Sequence, residues 1–159
     1  MIDETVEEIS EMQTHSSSVV AVKAAQALRV LTDREFPTVE DYIRTLDRNS
    51  SALRRANPSH ASLHTTQHRI VTAVSDADPD DVATAKELTV GAIEEVIEAV
   101  ESAKDRAAER AVSEIASDDV LLTHDFSSTV LATIDDAIEA GQTFDVYVTE
   151  SRPRFLGRK

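Results

Sequence analysis

From Ile2 to Glu114 apolar side chains recur at spacings of three and four, the period of helices that bury one face. Val6, Ile9 and Met12 mark a short opening helix. Any of Ser16, Ser17 and Ser18 can cap a second, in which Val19, Val22, Ala25, Leu28 and Leu31 face inward and which stops before Phe36-Pro37. Thr38 with Asp41 resembles a capping box and opens a third helix through Tyr42, Ile43, Leu46 and Leu53, ended by Asn57-Pro58. Ser59 or Ser62 starts a fourth, with Leu63, Ile70, Val71 and Val74 inward. Asp78-Pro79 starts the fifth and longest, whose apolar positions run from Val82 through Ala85, Ile93, Val96, Ala103 and Ala107 to Ile115. Gly91 inside this run costs about 1 kcal/mol relative to alanine and reads as a point of close packing. Phe36 and Tyr42 read as core residues, since aromatics are too few to form stacking platforms.

The period changes after Ser117-Asp118. Residues 119–123 form a short apolar run, Ser127 to Ala140 returns to helical spacing and ends at Gly141, and residues 144–149 read as a second strand. A helix of that length between two apolar strands predicts a parallel, right-handed crossover, the unit of doubly wound sheets. The expected fold class is therefore α + α/β: a helical N-terminal domain over residues 1–117, then the first β-α-β unit of a Rossmann-like sheet over 118–159. Two strands and one helix leave apolar faces and hydrogen-bonding edges open to water, so either the chain is expected to be truncated or the helical part and another molecule must cover the sheet.

The 159 residues contain no apolar run approaching the ~20 of a membrane span and no cysteine, which excludes disulfides, thiolate zinc sites and a cysteine nucleophile. The start, Met1-Ile2-Asp3-Glu4, lacks the pattern of a secretory signal, and a cytoplasmic protein is expected. Thirty acidic against sixteen basic residues give a net charge of −14, which repels nucleic acid. Only Lys23, Lys86, Lys104 and Lys159 among the cations are lysines. This bias fits a surface kept soluble in a high-salt, halophilic cytosol, where self-repulsion is screened.

Three constellations can carry chemistry. Parallel strands send the segments after them to one edge, where ligands of open α/β sheets bind. His124, Asp125, Ser127 and Ser128 follow the first strand; Glu150 and Arg152 follow the second. The helix N-terminus, two hydroxyls and the guanidinium suit a phosphate; equally, Asp125 or Ser127 merely caps the helix, and Glu150 and Arg152 form a surface pair. His60, His64 and His68 lie at four-residue spacing but drift around the helix without an acidic ligand, so no metal site is assigned. No cofactor and no catalytic residue is expected. The third, Gln13-Thr14-His15-Ser16-Ser17-Ser18, reads as a loop with a serine cap.

The order of these pieces, with Thr123-His124 before the sheet helix, Val146 to Thr149 followed by Glu150-Ser151-Arg152-Pro153, and Gly157, resembles the translation initiation factor 2B alpha, beta and delta subunit family. Asn57-Pro58-Ser59 and Thr14-His15-Ser16-Ser17 add to the likeness. The family also holds ribose-1,5-bisphosphate isomerase and methylthioribose-1-phosphate isomerase. Its members are roughly twice as long, so the resemblance implies that this is the N-terminal half and that the family's catalytic aspartate lies past its end.

The resemblance further implies that the isomerases' catalytic cysteine falls at Asp125, their phosphate-holding arginine-glycine pair in the Thr14-to-Ser17 stretch, and a further arginine at Asn57. Arg152 is the phosphate ligand that carries over. The implied function is that of a non-catalytic regulatory subunit that pairs with a second copy or a related subunit and presents its helical domain to a translation initiation factor. The alternative is a ribose-1,5-bisphosphate isomerase homologue of nucleotide salvage; in either case a sugar phosphate or nucleotide is a possible ligand. The uncovered sheet predicts a dimer or larger species. Sedimentation in high salt should show one, and a compact monomer would contradict it.

Overall fold

The computed structural model describes residues 2–12, 16–150, 152 and 157. The chain divides into two compact units, Met1–Glu101 and Ser102–Lys159. The elements are helices α1 (Ile2–Glu11), α2 (Ser17–Leu28), α3 (Val39–Ala56), α4 (Ala61–Asp76) and α5 (Val82–Val112), then strand β1 (Val120–His124), helix α6 (Ser128–Glu139) and strand β2 (Asp145–Thr149). The architecture is thus α plus α/β, an all-helical part followed by one β-α-β unit. Among the described residues no helix is long and apolar enough to cross a membrane.

In the first unit the helical stripes converge on one core in which Leu28, Leu46, Leu53, Leu63, Ile70 and Ile93 are fully buried. Each such side chain contributes about 1.5–3 kcal/mol through removal from water. Tyr42 is also fully buried. Its ring meets Phe36 edge-on with centroids 5.0 Å apart. Its hydroxyl donates to Thr89 Oγ1 at 2.8 Å, and Thr89 in turn donates to the Ala85 carbonyl at 2.8 Å. Burial raises the Tyr42 pKa, partly offset by the Thr89 contact. Asn57, fully buried, donates to the Ile9 carbonyl at 3.4 Å and accepts from Ser59 Oγ at 3.0 Å, tying the α3–α4 turn to the end of α1.

The caps are local chemistry, and two of those expected in this unit form. Ser16 Oγ accepts from the Val19 N–H at 3.4 Å, and Thr38 Oγ1 from the Asp41 N–H at 3.1 Å. Two helix starts differ from the sequence reading. Helix α4 begins at Ala61 with His60 in the capping position and no side-chain cap, because Ser59 is engaged by Asn57 and Ser62 reaches Ser17. Helix α5 begins at Val82, where Asp81 Oδ1 accepts from the Thr84 N–H at 2.7 Å; Asp78, at φ 46°, and Pro79 lie before it. Gly91 is not a point of close packing: an added Cβ would meet nothing within 4 Å. The alanine stripe of α5 is likewise buried only in part, since Ala85 and Ala92 are covered while Ala103 and Ala107 are exposed.

In the second unit β1 and β2 pair in parallel, with Val120 opposite Asp145 and His124 opposite Thr149. Backbone bonds extend the pairing at both ends: Asp145 N–H to the Asp119 carbonyl at 3.0 Å, and Asp125 N–H to the Thr149 carbonyl at 2.7 Å. The strands start one residue later than the sequence suggests, and the Asp119 carboxylate turns back to accept from the Ala116 N–H at 2.8 Å. Ser127 caps α6, its Oγ accepting from the Val130 N–H at 3.4 Å. Leu121, Thr123 and Val146 are half-buried, whereas Val120, Leu122 and Tyr147, which alternate with them, are 65%, 75% and 64% exposed.

The Asp81 cap carries a pH dependence. Hydrogen bonds from the Thr84 backbone and then its hydroxyl hold the Asp81 pKa below the ordinary carboxylate value. A depressed folded-state pKa stabilises above about pH 4 and is lost as the pH falls through it. Asp81→Ala should therefore lower the Tm at neutral pH, with the gap from the unsubstituted chain closing below about pH 4. Thermal melts followed by circular dichroism at both pH values check this.

Candidate functional site at the carboxyl edge of the strands

Because the strands run the same way, their last residues are neighbours, and the register sets His124 beside Thr149. His124 Nδ1 lies 2.7 Å from Thr149 Oγ1, which also donates to the Thr123 carbonyl at 3.4 Å. His124 Nε2 is 3.8 Å from Asp125 Oδ2, beyond hydrogen-bond reach, and this contact is an ion pair only when the imidazole is protonated. The His124 side chain is 67% exposed and that of Asp125 only 20%.

Asp125 has φ 53°, the left-handed region that favours glycine and that aspartate and asparagine tolerate best among other residues. That conformation turns the chain sharply out of β1 towards α6 while its N–H still completes the ladder to Thr149. A cleft of about 140 Å³ opens there, walled by Phe126, Val130, Leu131, Ile134 and Val148, with Thr123, Asp125, Ser127 and Gly157 also on its lining. Of the six residues singled out from sequence, Asp125 and Ser127 line this cleft. His124 stands beside them on the exposed side of the strand end, Ser128 is the exposed first residue of α6, Glu150 is half-buried just after β2, and Arg152 is exposed. Ser127 acts as the helix cap.

The residues missed are those of the apolar wall, and Gly157, named for the family-like motif, was not foreseen as part of the cleft. The inward stripe of α6 was legible; the return of Gly157 onto the end of β2 was not. A Cβ at Gly157 would stand 3.1 Å from both Glu150 Cβ and Val148 Cγ1 and 3.2 Å from the Thr149 carbonyl oxygen, so only glycine fits without a shift. Gln13, Thr14, His15, Ser151 and Pro153 lie outside the described residues. His60, at the cap of α4, and His64 within it are half-buried and His68 is exposed; among the described residues no three histidine or acidic side chains come together to hold a metal ion.

With this strand-helix-strand unit and its edge in view, the comparison with known proteins is decisive. Residues 13–159 match the model of the initiation factor 2 subunit family. The chain belongs to this family. Ribose 1,5-bisphosphate isomerase of Haloterrigena turkmenica is 26% identical over 154 residues, covering 96% of this chain and 46% of that protein. The crystal structure of the Pyrococcus horikoshii OT3 translation initiation factor eIF-2B superposes with a TM-score of 0.74 at 27% identity, over 99% of this chain and 53% of that one. The tetrameric eIF2B-beta2-delta2 complex from C. thermophilum gives a TM-score of 0.83 at 22% identity, over 99% of this chain and 52% of that one, a likeness of fold. This initiation factor 2 family chain spans about half the length of the curated relatives it matches.

The backbone at residue 125 makes the family member's edge selective for residue type. Asp125→Asn keeps a residue that tolerates this backbone, whereas Asp125→Ile should lose about 1–2 kcal/mol more, from the left-handed conformation alone. Urea titration of the two variants checks the difference.

Proposed function

We propose that this initiation factor 2 family member is a non-catalytic, subunit-like binding protein of the translation apparatus rather than an isomerase. The observation that carries this reading is Asp125. Where the resemblance puts the isomerases' catalytic cysteine, this chain has a carboxylate only 20% exposed, and its backbone N–H is bonded to Thr149. A carboxylate cannot perform thiolate chemistry, and its charge opposes a bisphosphate at short range.

The partner in this reading is a second copy or a related subunit, and beyond it a translation initiation factor. The 27% identity to the Pyrococcus horikoshii factor supports that direction. The exposed Val120, Leu122 and Tyr147 supply apolar surface for such a contact. A cytoplasmic setting of high salt fits the acidic excess, thirty residues against sixteen. If a sugar phosphate or nucleotide binds, Arg152 and the α6 N-terminus with Ser128 are the groups that would meet its phosphate.

The 26% identity to the Haloterrigena turkmenica enzyme favours the isomerase as the second reading. Ribose 1,5-bisphosphate added to the purified chain and followed by phosphorus NMR separates the two. No turnover is expected; tight binding with conversion to a ketose bisphosphate would overturn the subunit reading.

A further inference from the structure

Helices α3 and α4 are joined by a short turn, and two contacts fix how they lie against each other. Beside the turn the His60 N–H donates to the Asn57 carbonyl at 3.3 Å; two helical turns away Ser50 Oγ donates to the Gln67 carbonyl at 3.3 Å. Residue 57 with 60 and residue 50 with 67 is the register of an antiparallel pair. Arg54 is one turn from Ser50 and His64 one turn from His60, so both stand at the level between these contacts. A polar seam results, with Ser50, Arg54 and Asn57 on the α3 side and Gln67, His64 and His60 on the α4 side.

Among the described residues of the first unit, every buried side-chain nitrogen or oxygen without a hydrogen-bond partner in the protein belongs to this seam: Arg54 Nε, His60 Nδ1, His64 Nε2, and both Nε2 and Oε1 of Gln67. Gln67 is fully buried, as are Ser50 and Asn57. Burial strips such atoms of bulk hydration, and in folded proteins they are met by protein groups or by ordered water. The atoms of the seam are of both kinds. Arg54 Nε and Gln67 Nε2 donate, Gln67 Oε1 accepts, and each imidazole nitrogen does one or the other according to its tautomer. An anion would satisfy the donors and set negative charge against Gln67 Oε1; a cation would stand beside the Arg54 guanidinium. Water donates and accepts alike, and it is small enough to lie beside a side chain with no exposure. Ser50, the smallest side chain on the α3 side, is the residue opposite Gln67.

We propose that the α3–α4 seam is a buried hydration site, in which an ordered water bonded to the Gln67 amide bridges to His64. Residues three apart share a helix face, which puts His64 within reach of a water held by Gln67. The site lies in the helical unit and owes nothing to the carboxyl edge of the strands, so turnover of ribose 1,5-bisphosphate would overturn the subunit reading and leave this proposal standing.

The test is water-to-protein cross-relaxation by NMR on the full, nitrogen-15-labelled chain. The Gln67 side-chain amide protons should show cross peaks to water of opposite sign in the laboratory and rotating frames, the mark of a bound molecule rather than of proton exchange. Gln67→Met, nearly equal in length and without the amide, should lose these peaks, which confirms their assignment; should that variant not fold, connectivities to the Gln67 backbone assign them in the unsubstituted chain. A crystal structure should show water density within hydrogen-bond distance of both the Gln67 amide and a His64 ring nitrogen. No cross peak, peaks of the exchange sign only, or a scalar coupling that shows the amide bonded directly to a protein carbonyl would overturn the proposal.

Discussion

The parallel pairing of β1 with β2 is the constraint from which the second unit follows. Two adjacent strands that point the same way cannot be joined by a hairpin, so the chain must leave one edge, cross over a face and re-enter at the other. Helix α6 is that crossing, and its length matches the return it makes. The same pairing forces both strand ends, His124 and Thr149, to one edge and makes their side chains neighbours at 2.7 Å. Antiparallel strands would have put Thr149 beside Val120, and no cluster would exist.

The pairing also explains why the edge is polar while the sheet behind it is not. A strand end must hand its last backbone groups to something, and here they are satisfied within the unit. The Asp125 N–H takes the Thr149 carbonyl, and the Thr149 hydroxyl takes the Thr123 carbonyl. The left-handed turn at Asp125 then lets Ser127 cap α6 only two residues later. The helical unit solves the same problem by other means. Several of its buried polar groups are taken up singly, Tyr42 through Thr89 to the Ala85 carbonyl, Asn57 to the end of α1 and Ser50 to the Gln67 carbonyl.

What the sequence revealed divides along the range of the physics. Element order and strand pairing were legible because period and connection length are properties of short stretches, and the caps Ser16, Thr38 and Ser127 because capping joins residues three apart. The start of α4 was missed because Ser59 is drawn off by Asn57, whose own role depends on Ile9 far back in the chain. The stripe of α5 was read as buried throughout because period tells which face is apolar, not whether anything packs on it; Ala103 and Ala107 are exposed. Gly91 inside that helical run suggests a packing contact, yet its surroundings are open. Of the site, Asp125 and Ser127 were legible from the topology, while the cleft needed Gly157 to fold back on β2, a contact with no local signature.

Residue 125 separates what the fold requires from what the chemistry uses. The fold requires a residue that accepts φ 53°, and asparagine or glycine would serve as well as aspartate. The carboxylate is thus not explained by the turn. His124 Nε2, at 3.8 Å, is too far from it for a hydrogen bond. A charge four-fifths shielded from water and set against hydrocarbon carries a desolvation cost that a neutral residue of the same shape would avoid. A bound phosphate would add repulsion to that cost. This is why the identity of one side chain, rather than the shape of the edge, bears on which kind of ligand the edge can hold.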